Sequence, residues 1–111
     1  MMEIFYKKSK IKKQLSTASN IKKAFGVHAR KVVSRLDDIE ASPNLTVLMQ
    51  IPAANCHRLS GKRSDQWALN VSNNFRMIFE LTHDPIPMLE DNSINTEEIV
   101  SITIIEIIDY H

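Results

Sequence analysis

The stretch Gln66-Trp67-Ala68-Leu69-Asn70-Val71-Ser72-Asn73-Asn74-Phe75-Arg76-Met77-Ile78-Phe79-Glu80-Leu81 decides the fold. Trp67, Leu69 and Val71 alternate with Ala68, Asn70 and Ser72. Phe75, Met77, Phe79 and Leu81 alternate with Arg76, Ile78 and Glu80. A period of two marks a strand with one face in a core. Two such runs around Asn73-Asn74 predict a β-hairpin, because Asn tolerates the left-handed backbone of a tight turn. Trp67 lies on the apolar parity and reads as core rather than as a platform for a base.

Downstream, residues 83–98 hold Pro85, Pro87 and five acids. A connection of that length is functional or mobile. Ile99 to Ile108 is apolar on both parities, which predicts a central strand covered on both sides. Such a strand delivers Asp109-Tyr110-His111 to one edge of the fold.

Upstream, Asn55 to Leu59 predicts a strand and Ser60 to Ser64 a polar turn. Leu45 to Ile51 fits one or two helical turns before Pro52. Ile21, Ala24, Phe25, Ala29, Val32, Leu36 and Ile39 step by three and four, the spacing of an amphipathic helix, with Asn20 or Ser19 as N-cap. His28 falls on its apolar face and reads as a core histidine. Gly26 weakens the helix. Ser42-Pro43-Asn44 ends it. Ser9 to Leu15 predicts a short helix and Glu3 to Tyr6 an opening strand. The expected architecture is α+β: an N-terminal strand and two helices packed on a mainly antiparallel sheet of four to five strands. A length of 111 residues predicts a single domain, 1–111.

Net charge is +1, yet it is unevenly spread. Residues 1–35 carry ten Lys or Arg against Glu3 alone, and residues 36–111 carry four against twelve acids. This asymmetry points to a polyanion on the basic part, to an acidic protein partner, or to a solvated helical face. No stretch is long and apolar enough for a helical membrane span. The first residues lack the order of a secretion signal. The lone Cys56 cannot form an internal disulfide and reads as a small buried apolar group, so a cytoplasmic location is expected.

Three groups of residues could carry chemistry. His57-Arg58-Leu59-Ser60-Gly61-Lys62-Arg63 gathers four cationic or titratable side chains around a glycine, and clustered Lys and Arg suit a phosphate. It does not match a nucleotide-binding phosphate loop. Asp109-Tyr110-His111 supplies an imidazole able to exchange a proton near neutral pH. Arg76 lies on the parity opposite Phe75 and Met77, where it either faces a site or serves as a surface arginine. The four histidines and Cys56 show no metal-ligand spacing, so no metal or other cofactor is expected.

Taken in order, these motifs resemble the HigB branch of the RelE/ParE toxin superfamily. The resemblance rests on residues 57–63, Gln66-Trp67, Asn74-Phe75-Arg76-Met77-Ile78-Phe79 and the closing Asp109-Tyr110-His111. It covers residues 55–82 and 103–111. It implies the toxin of a type II toxin–antitoxin system: an mRNA endonuclease that cuts translated messages on the ribosome. It also implies a helix-turn-helix antitoxin of the HigA type as partner, with operator DNA reached only through that antitoxin. His57, His111, Asp109, Tyr110, Arg63 and Arg76 match the family's catalytic positions. Lys62, Arg58, Lys22, Lys23 and Arg30 are the expected RNA contacts. Two departures stand out: Ser60 replaces a lysine that many members carry, and Lys62 replaces an aspartate. An inactive fold acting as co-repressor, or a gyrase poison of the ParE type, are the competing expectations.

Overall fold

A computed structural model describes residues 1–109. Five strands form one sheet in the order β1-β5-β4-β3-β2: β1 Glu3–Tyr6, β2 His57–Arg58, β3 Gln66–Asn70, β4 Phe75–Leu81 and β5 Ser101–Asp109. β1 runs parallel to β5 and the other three pairings are antiparallel. Four helices precede β2: α1 Ser9–Gln14, α2 Ala18–Phe25, α3 Ala29–Ala41 and α4 Leu45–Met49. The α+β expectation holds, with four short helices where two were expected.

The expected helix through residues 21–39 divides at Gly26, whose φ of 54° lies in the left-handed region that glycine enters without strain. α2 ends there, and a 3-10 turn, Gly26–His28, leads into α3. The cap is also earlier than expected. Thr17, not Asn20 or Ser19, is the N-cap of α2, and its hydroxyl accepts the Asn20 N–H at 3.0 Å. Asn44 caps α4 in the same way through the Val47 N–H.

The helices cover one face of the sheet. Val32 and Ile39 of α3 and Leu45 and Leu48 of α4 meet Trp67, Leu69, Met77 and Phe79 in the core, several of them fully excluded from solvent. Trp67 is therefore core as expected, stacked on Phe79 with ring centres 6.2 Å apart. Ala68 and Ile78 are buried too, yet they lie outside that cluster, on the opposite face.

The hairpin falls where its alternation predicts, but its turn differs. Neither Asn73 nor Asn74 has a positive φ. The connection instead closes through Phe75 C=O, which accepts from the Val71 and Ser72 N–H groups, and through Arg76. β2 is shorter than the expected 55–59 strand. β5 lies between β1 and β4, but only its core face is covered. Ile102 and Ile104 are buried while Thr103 and residues 105–108 are half-exposed, against the expectation of cover on both sides, and β1 pairs with it only as far as Ile104. Residues 83–98 carry local order: a Met88–Ile94 bridge, an Asp91 turn closed on Ser93, and a 3-10 turn at Thr96–Glu98. The Thr96 hydroxyl lies 2.6 Å from that of Thr46 in α4.

Candidate active site on the open sheet face

Strand register sorts the polar residues onto the face that no helix among the described residues covers. Residues directly opposite one another across a sheet point to the same side. One row reads His57, Ala68, Ile78, Glu106; the next reads Asn70, Arg76, Ile108; and on the other flank lie Gln66, Glu80 and Thr103. His57, Arg76 and Glu106 thus share a face opposite the helical core.

His57 is exposed, and its Nδ1 lies 2.8 Å from the Asn55 carbonyl oxygen. A carbonyl only accepts, so Nδ1 carries the hydrogen and Nε2 holds the lone pair of the neutral ring. Asn55 makes this possible by adopting a φ of 43°.

Arg63 reaches over this face. Its Nε donates to Gln66 Oε1 at 2.8 Å, and its Nη2 pairs with Glu106 Oε2 at 3.4 Å. The arginine starts from a 3-10 turn, Gly61–Arg63, and ends on β5. Gly61 sets that turn with a φ of 65°. The 3-10 turn falls within the polar turn expected at Ser60 to Ser64. Lys62 is exposed on it. Arg58 pairs with Trp67 and so points to the face opposite His57; its Nε donates to the Ser64 carbonyl, bracing the turn from behind.

Arg76 donates from Nη1 to the carbonyls of Ser72, Asn73 and Phe75 at 3.1–3.2 Å. It ties the hairpin end while standing on the open face. Asn70, opposite it, has a buried amide oxygen with no partner among the described residues. Native folds rarely leave such an atom unpaired, and a ligand or water commonly fills the gap.

Asp109 pairs with Phe75 at the end of β5. From strand spacing, its Cα lies roughly 17 Å from that of His57, across three inter-strand steps and three residues along the strand. The register therefore brings His57, Arg63 and Arg76 onto one face but does not set His57 beside Asp109. Tyr110 and His111 lie outside the described residues. Lys22 and Lys23 sit in the last turn of α2 and Arg30 in the first turn of α3, away from that face.

Sequence reasoning missed three residues. Glu106 was visible as the one charge inside the run Ile102–Ile108, and Asn70 as a polar residue on an otherwise apolar strand. His28 is half-buried rather than core. Its ring packs 4.2 Å from that of Phe75, and its Nδ1 lies 3.1 Å from the Ser72 hydroxyl. It lines a hollow of about 400 Å³ with Asn73, Asn74 and Asp109. Among the described residues, no three His, Cys, Asp or Glu side chains gather as a metal-binding group.

The fold resembles a solved YoeB/ParE toxin from Agrobacterium tumefaciens, with a TM-score of 0.56 over 99% of both chains at 9% sequence identity. No curated protein matches the sequence. The sequence model for the RelE-like toxin HigB of type II toxin–antitoxin systems matches residues 2–95, stopping short of β5. With that match over most of its length, the chain belongs to the HigB-like toxin family, whose members are RelE-like toxins of type II toxin–antitoxin systems.

Proposed function

We propose that the protein is a ribosome-dependent endoribonuclease that cleaves translated mRNA without a metal, and that an antitoxin neutralises it. The observation that carries this reading is the placement of a proton-exchanging imidazole, His57, and two arginines, Arg63 and Arg76, on one helix-free face of the sheet. RNA supplies its own nucleophile. A base takes the proton of a 2′-hydroxyl, and the freed oxygen attacks the adjacent phosphorus. The bond to the 5′-oxygen breaks, and an acid protonates that oxygen. The products are a 2′,3′-cyclic phosphate and a 5′-hydroxyl.

His57 Nε2 and the imidazole of His111 are the proposed acid–base pair, each contributing about 10²–10⁴-fold. Arg63, with Arg76 through its Nε and Nη2 groups, stabilises charge on the five-coordinate phosphate. Glu106 holds the Arg63 guanidinium in place. Asp109 and Tyr110 continue the site from β5, with Tyr110 stacking on a base. Lys62 binds the RNA backbone from the turn that Arg58 braces. Lys22, Lys23 and Arg30 add positive charge from the helices, so ribosome binding falls steeply with salt.

The test incubates purified protein with ribosomes and a translated message. Wild type is compared with His57→Ala, His111→Ala and a chain lacking residue 111. Cleavage that survives EDTA in intact ribosomes and drops at least about a hundredfold in the variants supports the scheme. Equal cleavage by all four proteins rejects the histidine pair. Growth arrest without RNA cuts, but with gyrase-linked DNA breaks, assigns the protein to gyrase poisoning. No arrest at all assigns it to co-repression.

A further inference from the structure

The catalytic scheme makes no use of the segment between β4 and β5. Residues 87–95 fold back on themselves as a short arm. Met88 bridges Ile94, the Leu89 N–H donates to the Ser93 carbonyl at 2.8 Å, and the Asn95 N–H donates to the Pro87 carbonyl at 2.8 Å. Asn92 turns the tip with a φ of 68°, and Asp91 Oδ1 accepts from the Ser93 N–H at 3.0 Å. The base of the arm is pinned to α4. There the Leu45 N–H donates to the Ile99 carbonyl at 3.0 Å, and the Thr46 and Thr96 hydroxyls meet. Ile94 packs against the core. Ile86, Met88 and Leu89 do not: they are 39%, 51% and 47% exposed, and Asp84, Glu90 and Asp91 flank them. Three large apolar side chains held out on one small arm mark a contact surface. Because the arm is already folded, docking it costs little further ordering.

Its chemistry narrows the occupant. The carboxylates repel a nucleic-acid backbone or an anionic lipid surface. The arm fits a cationic surface with an apolar recess, and the chain itself carries one. A hollow of about 260 Å³ between α1 and α2 is lined by Lys10, Lys13, Gln14, Asn20, Lys23 and Ala24. Ala24 and the lysine stems make its wall apolar, and the ammonium groups stand at its rim. Neither helix holds an acid. This hollow lies beside the second half of β5, since its Lys10, Gln14 and Ala24 also border Ile105 to Ile108. The arm enters β5 at the other end. From Ile99 to Ile107 the strand spans roughly 25 Å. An arm pinned to α4 at that end is kept from the hollow of its own chain.

We infer that the arm of one copy docks between α1 and α2 of a second copy. Met88 and Leu89 enter the hollow, and Glu90 and Asp91 meet the lysine rim. This sets the acidic part of one chain, where residues 36–111 hold twelve acids, against the basic part of the next. A contact this small is weak, so association depends on concentration and on salt. Under the RNA reading above, docking covers Lys23, and self-association then competes with ribosome binding. The contact itself is independent of that reading, and its test needs neither ribosome nor antitoxin.

The experiment is sedimentation equilibrium of the purified full chain across roughly a hundredfold range of concentration, at low and high salt. The mean mass of the wild type is expected to rise with concentration, less so at high salt. Glu90→Lys/Asp91→Asn reverses the arm and keeps the Oδ1 that accepts from Ser93. Lys10→Glu/Lys13→Glu reverses the helices. Each double variant alone is expected to dissociate about tenfold more readily at low salt. Mixed in equal amounts, the two are expected to associate again, because the reversed arm of one meets the reversed helices of the other. That recovery also shows that both variants fold. Leu89→Ser is expected to weaken association at low and high salt alike. A wild type that stays a single copy throughout overturns the inference. So does association that neither arm variant weakens, and so does a mixture that fails to recover.

Discussion

Arg63 and Glu106 join across the open face of the sheet, guanidinium Nη2 to carboxylate Oε2 at 3.4 Å, so that the turn after β2 is held to the middle of β5. Both side chains are substantially exposed, at 36% and 43%. Ion pairs in that setting contribute about 0–1 kcal/mol. Glu106→Gln is therefore expected to leave the thermal midpoint nearly unchanged while lowering RNA cleavage, because Arg63 loses its anchor. Arg63→Ala is expected to lower cleavage by roughly 10²–10³-fold, in the range of other lost charge-stabilising donors. Melting curves paired with cleavage rates on ribosomes check this. A large stability loss with intact specific activity would make the pair a structural strut only.

Gly61 offers a test of the turn that launches Arg63. A Cβ built there meets nothing within 4 Å, so space is not the constraint. The backbone is: φ is 65°, where an L-residue costs about 1–2 kcal/mol. Gly61→Ala is expected to lower stability by about 1 kcal/mol and to lower cleavage by more than that loss explains, since the turn relaxes and carries Lys62 and Arg63 with it. Urea denaturation and activity measured on the same preparation separate the two effects.

Two helix caps should be separable from function altogether. Thr17 and Asn44 each accept a backbone N–H at 3.0 Å at the start of α2 and α4. Thr17→Ala and Asn44→Ala are each expected to cost about 1 kcal/mol. The two caps serve different helices, so the costs should add in the double variant. Denaturation midpoints for the single and double variants check both size and additivity.

The hairpin and β5 were legible because alternation and apolar runs are local signals of burial. The division of the long helix was legible only as a weak spot at Gly26, since apolar periodicity continues through the break and carries no mark of the left-handed step. Residue type does not single out the true cap, Thr17, because Ser19 and Asn20 are equally good capping types. Within the candidate site, the arginines and His57 stood out by type and clustering. Glu106 did not, because its significance comes from register: it lies opposite Ile78 across the whole 83–98 connection, and a pairing over that distance has no local signature. The bulge between Ile78 and Phe79 in that register shifts the parity of β5, so even a correct strand assignment places Glu106 on the wrong face unless the bulge is known.

Burial makes the last prediction one of base lability. Cys56 is buried, and removal from water pushes its thiol up from 9.0 to about 12. Burial, with a smaller contribution from the nearby Glu40 carboxylate, raises the Tyr6 phenol as well. In each case the folded state holds its proton to higher pH than the unfolded chain does. The stability contributed is fully present below the unfolded pKa and is lost as pH rises toward the folded one. For Cys56 that window runs from about 9 to 12, and three pKa units correspond to on the order of 4 kcal/mol. Denaturation midpoints should therefore fall as pH climbs through this window, and Cys56→Ala should flatten the fall while Tyr6 retains part of it. At pH 8 the buried thiol should resist iodoacetamide in the native protein and react after unfolding in urea. Rapid native-state alkylation, or a stability curve for Cys56→Ala as steep as that of the wild type, would show that the thiol is reachable and that its proton is not held by the fold.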